Sequence, residues 1–326
     1  MTIMTTKSDL RSFPIGLGCM GMSDVYGASD EAQSITTIQS AIERGVTLID
    51  TGDFYGMGHN EMLIGRALAG RRDKVQISVK FGALRSPDNQ WGGMDARPAA
   101  VKNFAAYSLK RLGVDVIDVY RPARLDPQVP IEDTIGAIGE LIQKGFVRQI
   151  GLSEVGVDVI RRAAKVHPIA DLQIEYSLVS RGPESQIFPV LAELGIGATL
   201  YAVLSRGLLS GSQPKPGSGD FRSHMPRFSA QNRARNDRVV ETLRSFASDR
   251  GMTPAQLAIA WVLAKQPNFI ALVGARKLEQ LDDALAAVSR PLPKSDVAEL
   301  ERLIPADAIA GERYPAAAMA QLDSEK

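Results

Sequence analysis

The feature that most constrains this chain is an alternation of short, β-branched apolar runs with longer amphipathic segments. The apolar runs fall at 14–18, 46–50, 75–80, 114–120, 146–152, 171–176, 196–203 and 269–274. Helical periodicity lies between them at 30–44, 60–68, 97–112, 131–144, 157–166, 184–194, 236–250 and 278–288, with extra pieces at 253–265 and 294–303. Near-continuous apolar strands of this kind read as parallel strands buried on both faces. Ser29 or Asp30, Pro98, and the glycines Gly45, Gly113, Gly145 and Gly195 stand where helix starts and stops are expected. Eight strands, each followed by a helix, predict an α/β chain folded as one closed (β/α)₈ barrel over residues 1–326. A connection at 204–235, rich in Gly, Ser, Pro and Arg, is too long for an ordinary loop and reads as a lid.

Composition excludes several function classes. The formal net charge is +1 with both signs interspersed, so no nucleic-acid surface is expected. No apolar run approaches a membrane span, and residues 1–13 lack the apolar stretch of a secretory signal, which predicts a cytoplasmic protein. One cysteine, Cys19, and three histidines without ligand spacing argue against a metal site. Cys19 reads as a small buried hydrophobe.

Near the start, Gly16, Gly18 and Gly21 spell G-x-G-x-x-G. A Rossmann fingerprint needs a helix opening at the last glycine and an acid about twenty residues on. Here Gly21 runs into M-S-D-V-Y-G-A-S, and Ala41 occupies the distant position. The spacing therefore reads as a glycine-rich turn above the first strand. Catalytic groups on a barrel gather at the C-terminal ends of strands. Those ends supply Asp50, Tyr55 just beyond, Lys80, Ser153-Glu154, Gln173, Glu175 and Tyr201. A phenol beside an ammonium that a carboxylate holds in place makes a proton donor suited to carbonyl reduction, with the ammonium expected to lower the phenol's pKa.

Through GLGCMGMSDVYG, GVTLIDTGDFYG, NEMLIGRAL, ISVKFG, IGLSE, LQIEYSL, YAVLSRGLLSG and LVGARKLEQLDDAL, in that order, the chain resembles the aldo-keto reductase family. The resemblance implies an NADP(H)-dependent oxidoreductase acting on a small carbonyl substrate, with Asp50, Tyr55 and Lys80 catalytic and Tyr55 the proton donor. For the cofactor it implies Gly18, Met20 and Asp50, with Ser153 and Gln173 on the carboxamide and Tyr201 against the nicotinamide. Leu204, Ser205, Arg206 and Gly207 belong to the loop around the pyrophosphate. Gly274 and Arg276 lie toward the 2′-phosphate, and Lys277, Gln280 and Asp283 toward the adenosine. The family's fourth catalytic residue, a histidine in a stretch like YLHRxDP, is replaced by Ala123 in VYRPARLDP. Arg121 and Arg124 flank it and are candidates to meet the substrate, as are Phe54 and Trp91, which read as an aromatic wall. The stretch ARLDP followed by VPIEDTI and GLSEV is similar to a branch that includes pyridoxal reductases, which implies pyridoxal or another aromatic aldehyde as substrate. The alternative is a protein that senses the NADP(H) ratio with weak catalysis, as channel β subunits of this fold do. A flavin enzyme, with VGARK as a phosphate loop, is a more remote reading.

Overall fold

The computed structural model describes residues 13–23, 25–88, 90–214 and 219–326. Most of the N-terminal stretch read for a targeting signal, and 215–218 of the long connection, lie outside them. Eight parallel strands close into a barrel: β1 (Ile15–Gly18), β2 (Leu48–Gly52), β3 (Gln76–Phe81), β4 (Ile117–Pro122), β5 (Val147–Ser153), β6 (Ile169–Glu175), β7 (Gly197–Tyr201) and β8 (Ile270–Gly274), each hydrogen-bonded to its neighbours in chain order and β8 to β1. The expected strands are all present, and the fold is the (β/α)₈ barrel.

The helices around it are α1 (Glu31–Glu43), α2 (His59–Ala67), α3 (Pro98–Leu112), α4 (Ile131–Gln143), α5 (Val157–Val166), α6 (Ile187–Leu194), α7 (Ala230–Ser248), α8 (Pro254–Lys265), α9 (Leu278–Ala286), α10 (Lys294–Leu303) and the short α11 (Ala316–Met319). Their ends follow local chemistry. Asp30 accepts from the Gln33 amide at 2.7 Å to open α1, and Thr253 forms a reciprocal capping box with Gln256 at the start of α8. Two departures from the sequence reading bear on the site. The helix expected at 236–250 begins at Ala230, because its first turns, Q-N-R-A-R-N-D, carry almost no apolar stripe. A small antiparallel hairpin, Ala83–Arg85 with Trp91–Met94, projects from the loop after β3. None of the helices among the described residues is long and apolar enough to cross a membrane.

The main core fills the shell between sheet and helices, where Trp261 stacks on Tyr176 at 5.4 Å. The barrel interior is filled in layers by alternate residues of each strand. At the bottom sit Leu48, Val119 and Ile270 with Ala170 against them. Above them is a polar layer. Arg121, fully buried, bonds Asp171 at 3.0 Å and the Ser78 hydroxyl at 3.0 Å, and Thr199 also donates to Asp171 at 2.5 Å. This layer explains Gly151: a Cβ there would lie 2.9 Å from the Arg121 guanidinium carbon. The next layer up is the floor of the candidate site.

Candidate active site

Strand register places the reactive groups side by side at the barrel top. Gly52 pairs with Lys80, Lys80 with Arg121, Ser153 with Gln173, and Glu175 with Tyr201. Asp50 and Lys80 are buried and form an ion pair. The second Asp50 oxygen accepts from the Ser78 hydroxyl at 2.9 Å and from the Gln173 amide at 2.8 Å. Since Ser78 also accepts from Arg121, the polar layer below is wired directly into the Asp50 carboxylate.

Tyr55 opens a tight turn after β2 in which Gly56 and Met57 have left-handed φ of 55° and 53°. Its ring lies 5.1 Å from the Lys80 ammonium. Burial first, and the Asp50 charge second, push the phenol well above its ordinary range, while Arg124 acts in the opposite direction. The expected lowering by Lys80 is thus not what the site does. The ammonium is neutralised by Asp50, and burial leads in holding the Lys80 pKa down. The result is a firmly protonated phenol, the state a proton donor needs. Phe54 packs edge-on to Tyr55 at 4.8 Å and to Trp91 at 5.7 Å, with the Arg85 guanidinium 4.2 Å over Trp91. Trp91 is 61% exposed, so the aromatic row runs from Tyr55 out to solvent along the hairpin.

The two arginines beside Ala123 have different fates. Arg121, named with the substrate residues from sequence, is locked beneath the site by Asp171 and Ser78; pleat alternation turns it into the barrel. Arg124 reaches the site face, donating to Ser153 Oγ at 3.5 Å and to the Tyr314 hydroxyl at 3.2 Å. Tyr314 also bonds the Tyr201 hydroxyl at 3.0 Å.

Tyr314 belongs to a C-terminal segment that sequence reasoning missed. Beside it, Arg313 inserts between two buried carboxylates, bonding Glu154 at 2.8 Å and Glu175 at 3.3 Å. Arg206 and Arg227 complete the cluster on Glu175 at 3.0 and 3.4 Å. Tyr201 and Ser324 donate to Glu154 at 2.8 and 2.6 Å. Arg206, expected near a pyrophosphate, has its side chain on Glu175 and the Tyr314 ring. Arg222 and Arg227, in the connection read from sequence as a lid, are buried and paired with Asp220 and Glu175.

The residues expected to meet a dinucleotide lie at and beyond the strand tops. Gly18 and Gly274 face each other in register, and a Cβ on Gly274 would meet nothing closer than the Gly18 carbonyl at 3.8 Å. Half-buried Met20 lies in the turn beside them, above the buried Cys19, whose thiol burial pushes far upward. Ser205, Arg206 and Gly207 are consecutive left-handed residues with φ of 48°, 56° and 89° after half-buried Leu204. Non-glycine residues in that region carry strain of order ~1 kcal/mol each and cluster at ligand sites. At the far end the Arg276 guanidinium rests on the carbonyls of Tyr26, Gly27 and Ala28 at 3.3–3.5 Å. Gln280 caps the Arg276 amide at 3.0 Å, Lys277 is exposed, and Asp283 is engaged with Thr253 and Gln256 of α8 at 2.9 and 2.8 Å.

Comparison with known proteins agrees with this architecture. The family model described as "Aldo/keto reductase family" matches residues 14–305. A Glycine max protein named Probable aldo-keto reductase 1 is 39% identical over 307 residues, covering 92% of this chain and 88% of that protein. Among solved structures, a glycerol dehydrogenase from Gluconobacter oxydans superposes with a TM-score of 0.80 at 27% identity, covering 90% of this chain and 93% of its own. An aldo-keto reductase from Klebsiella pneumoniae in complex with NADPH gives 0.71 at 26% identity, covering 92% and 95%. By barrel, strand-top chemistry and sequence, this chain belongs to the aldo/keto reductase family.

Proposed function

We propose that the protein is an NADPH-dependent reductase of aldehydes or ketones, with Tyr55 as the proton donor. The observation that carries this reading is the buried Asp50–Lys80 pair beside half-buried Tyr55, on a floor of Ser78 and Gln173. NADPH, held by the residues named next, would supply a hydride to the carbonyl carbon. The strand-top residues fit such a cofactor. Gln173 spends its amide on Asp50 and keeps an oxygen to accept from a carboxamide. Ser153 accepts from Arg124 and keeps its proton to donate. Tyr201 offers its ring, the backbone of 204–207 and the glycines Gly18 and Gly274 offer unobstructed approach, and Arg276 suits a phosphate dianion.

As negative charge develops on the substrate oxygen, Tyr55 donates its proton, and the Lys80 ammonium beside the ring stabilises the phenolate that remains. Asp50 holds Lys80 in place, and Arg121 holds Asp50 through Ser78. The row Tyr55–Phe54–Trp91 supports a planar aromatic aldehyde, pyridoxal among them, as substrate. NADPH consumption should be followed with pyridoxal and with aromatic and aliphatic aldehydes, identifying the alcohol formed. Reduction led by aromatic aldehydes is expected. Tight NADPH binding with no carbonyl reduced would favour the redox-sensing alternative, for which the loss of the family histidine at Ala123 is the supporting observation.

A further inference from the structure

The three residues expected at the nicotinamide end, Ser153, Gln173 and Tyr201, share one neighbour. Glu154 follows Ser153 in the chain, donates its amide to the Gln173 carbonyl at 3.1 Å and accepts from the Tyr201 hydroxyl at 2.8 Å. It is fully buried, and its backbone is left-handed with φ of 51°. A non-glycine residue holds that conformation only where its surroundings over-determine it. Part of the constraint comes from the segment Leu322–Glu325. Ser324 donates to Glu154 twice, from its hydroxyl to the carboxylate at 2.6 Å and from its amide to the main-chain carbonyl at 3.3 Å. Asp323 accepts from the Gly156 amide at 2.8 Å, Leu322 is buried, and Glu325 pairs with Arg313 at 2.5 Å. Gly156 is shaped for this contact. Its φ of −82° suits any residue, yet a Cβ there would lie 2.9 Å from the Asp323 carbonyl oxygen. The seated segment, and not the backbone conformation, excludes a side chain at that position.

We propose that Leu322–Glu325 is a strap that positions the nicotinamide end of the cofactor site, with Ser324 and Glu154 as its positioning residues. This rests on the cofactor placement in the reductase reading given above. With the strap seated, Glu154 holds the Tyr201 ring by its hydroxyl, and holds the strand ends at Ser153 and Gln173 through the main chain. With the strap displaced, Glu154 keeps Arg313 but loses the donor to its carbonyl and the hydroxyl on its carboxylate. The nicotinamide then enters a site that must be ordered on binding, which lowers affinity. The strap side chains bond Glu154, Gly156 and Arg313, none of which is expected at the phosphates or the adenosine. Its effect is therefore confined to the nicotinamide half of the cofactor.

The test is a calorimetric titration of NADPH, and of 2′-phospho-ADP-ribose, which lacks the nicotinamide, into wild type, Ser324→Ala, Ser324→Thr and Gly156→Ala. Ser324→Ala removes the hydroxyl on Glu154, and Gly156→Ala displaces the segment without removing any hydrogen-bonding group. Both should weaken NADPH by about 3- to 10-fold, the net worth of a typical hydrogen bond, and leave 2′-phospho-ADP-ribose within about 2-fold of wild type. Ser324→Thr, which keeps the hydroxyl, should bind NADPH as wild type does. Equal weakening of both ligands would make the segment a general stabiliser of the fold and overturn the proposal. NADPH affinity unchanged in Ser324→Ala and Gly156→Ala would overturn it as well. Aldehyde reduction by the same preparations separates the inference from the reading beneath it. A wild type that reduces no carbonyl, with the nicotinamide-selective loss still seen in the variants, keeps the strap while the reductase reading falls. A wild type that binds no NADPH removes both.

Discussion

Arg313 gives the sharpest prediction about stability. Its guanidinium is buried between Glu154 and Glu175, at 2.8 and 3.3 Å, and reaches Glu325 at 2.5 Å. Arg313→Ala leaves Glu175 with Arg206, Arg227 and the Ser180 hydroxyl, but leaves Glu154 with only neutral donors: Ser324, Tyr201 and the Glu175 amide. Breaking a buried ion pair from one side costs ~3–5 kcal/mol, and the remaining donors place this case near the lower end. The Glu154 carboxyl adds a pH dependence. Burial alone would raise the Glu154 pKa, yet the hydrogen bond and charge of Arg313, with the charge of Arg124, hold it at about 2. Against an unfolded value near ~4.3, that depression is worth roughly 3 kcal/mol. Because the folded pKa is the lower one, this stability is fully present above about pH 4–5 and is lost as pH falls toward 2. Urea unfolding of wild type and variant between pH 7 and pH 3 measures both effects. The variant should be less stable by about 3 kcal/mol at pH 7, and the gap should narrow in acid. A difference under about 1 kcal/mol at pH 7, or one that does not change with pH, would refute the assignment of Arg313 as the counter-ion of this cluster.

Asp53 behaves in the opposite sense. Burial, with Glu61 nearby, raises its carboxyl to about 7, and one of its oxygens has no partner. A folded pKa above the unfolded one weakens the fold as pH rises from about 4 to 7, so Asp53→Asn should stabilise by ~2–4 kcal/mol at pH 8 and little at pH 4, read by denaturant midpoints. Arg276→Ala should weaken NADPH binding by on the order of 10- to 100-fold while changing NADH binding only a few-fold, measured by fluorescence titration; equal losses for both would deny it the 2′-phosphate.

How far the sequence carried the reading depends on the range of each interaction. Strand and helix order was legible because buried parallel strands are written as local apolar runs. Asp50, Tyr55 and Lys80 could be picked out as candidates because each lies at or just beyond the end of a strand. Arg121 misled, since a charged residue at a strand end gives no sign of which way the pleat turns it, and the glycine that makes room for it, Gly151, is thirty residues away. The Arg313–Tyr314 segment was invisible for a related reason. Its partners Glu154, Tyr201 and Arg124 lie more than a hundred residues earlier, and nothing local in G-E-R-Y-P announces a buried arginine. The start of α7 was hidden by a polar first turn, and the hairpin bearing Trp91 by its glycines. The effect of Lys80 on Tyr55 was misjudged because the burial of both groups, which opposes it, is a property of the folded barrel alone.

The central claim is that Tyr55 donates the proton from a site organised by Lys80 and Asp50. The most direct measurement is single-turnover reduction of one aromatic aldehyde by wild type and Tyr55→Phe, with NADPH affinity determined in parallel. Tyr55→Phe should lose rate by on the order of 100-fold or more with NADPH affinity changed only a few-fold. A variant that reduces the aldehyde at close to the wild-type rate would contradict it and move the proton donor to another group.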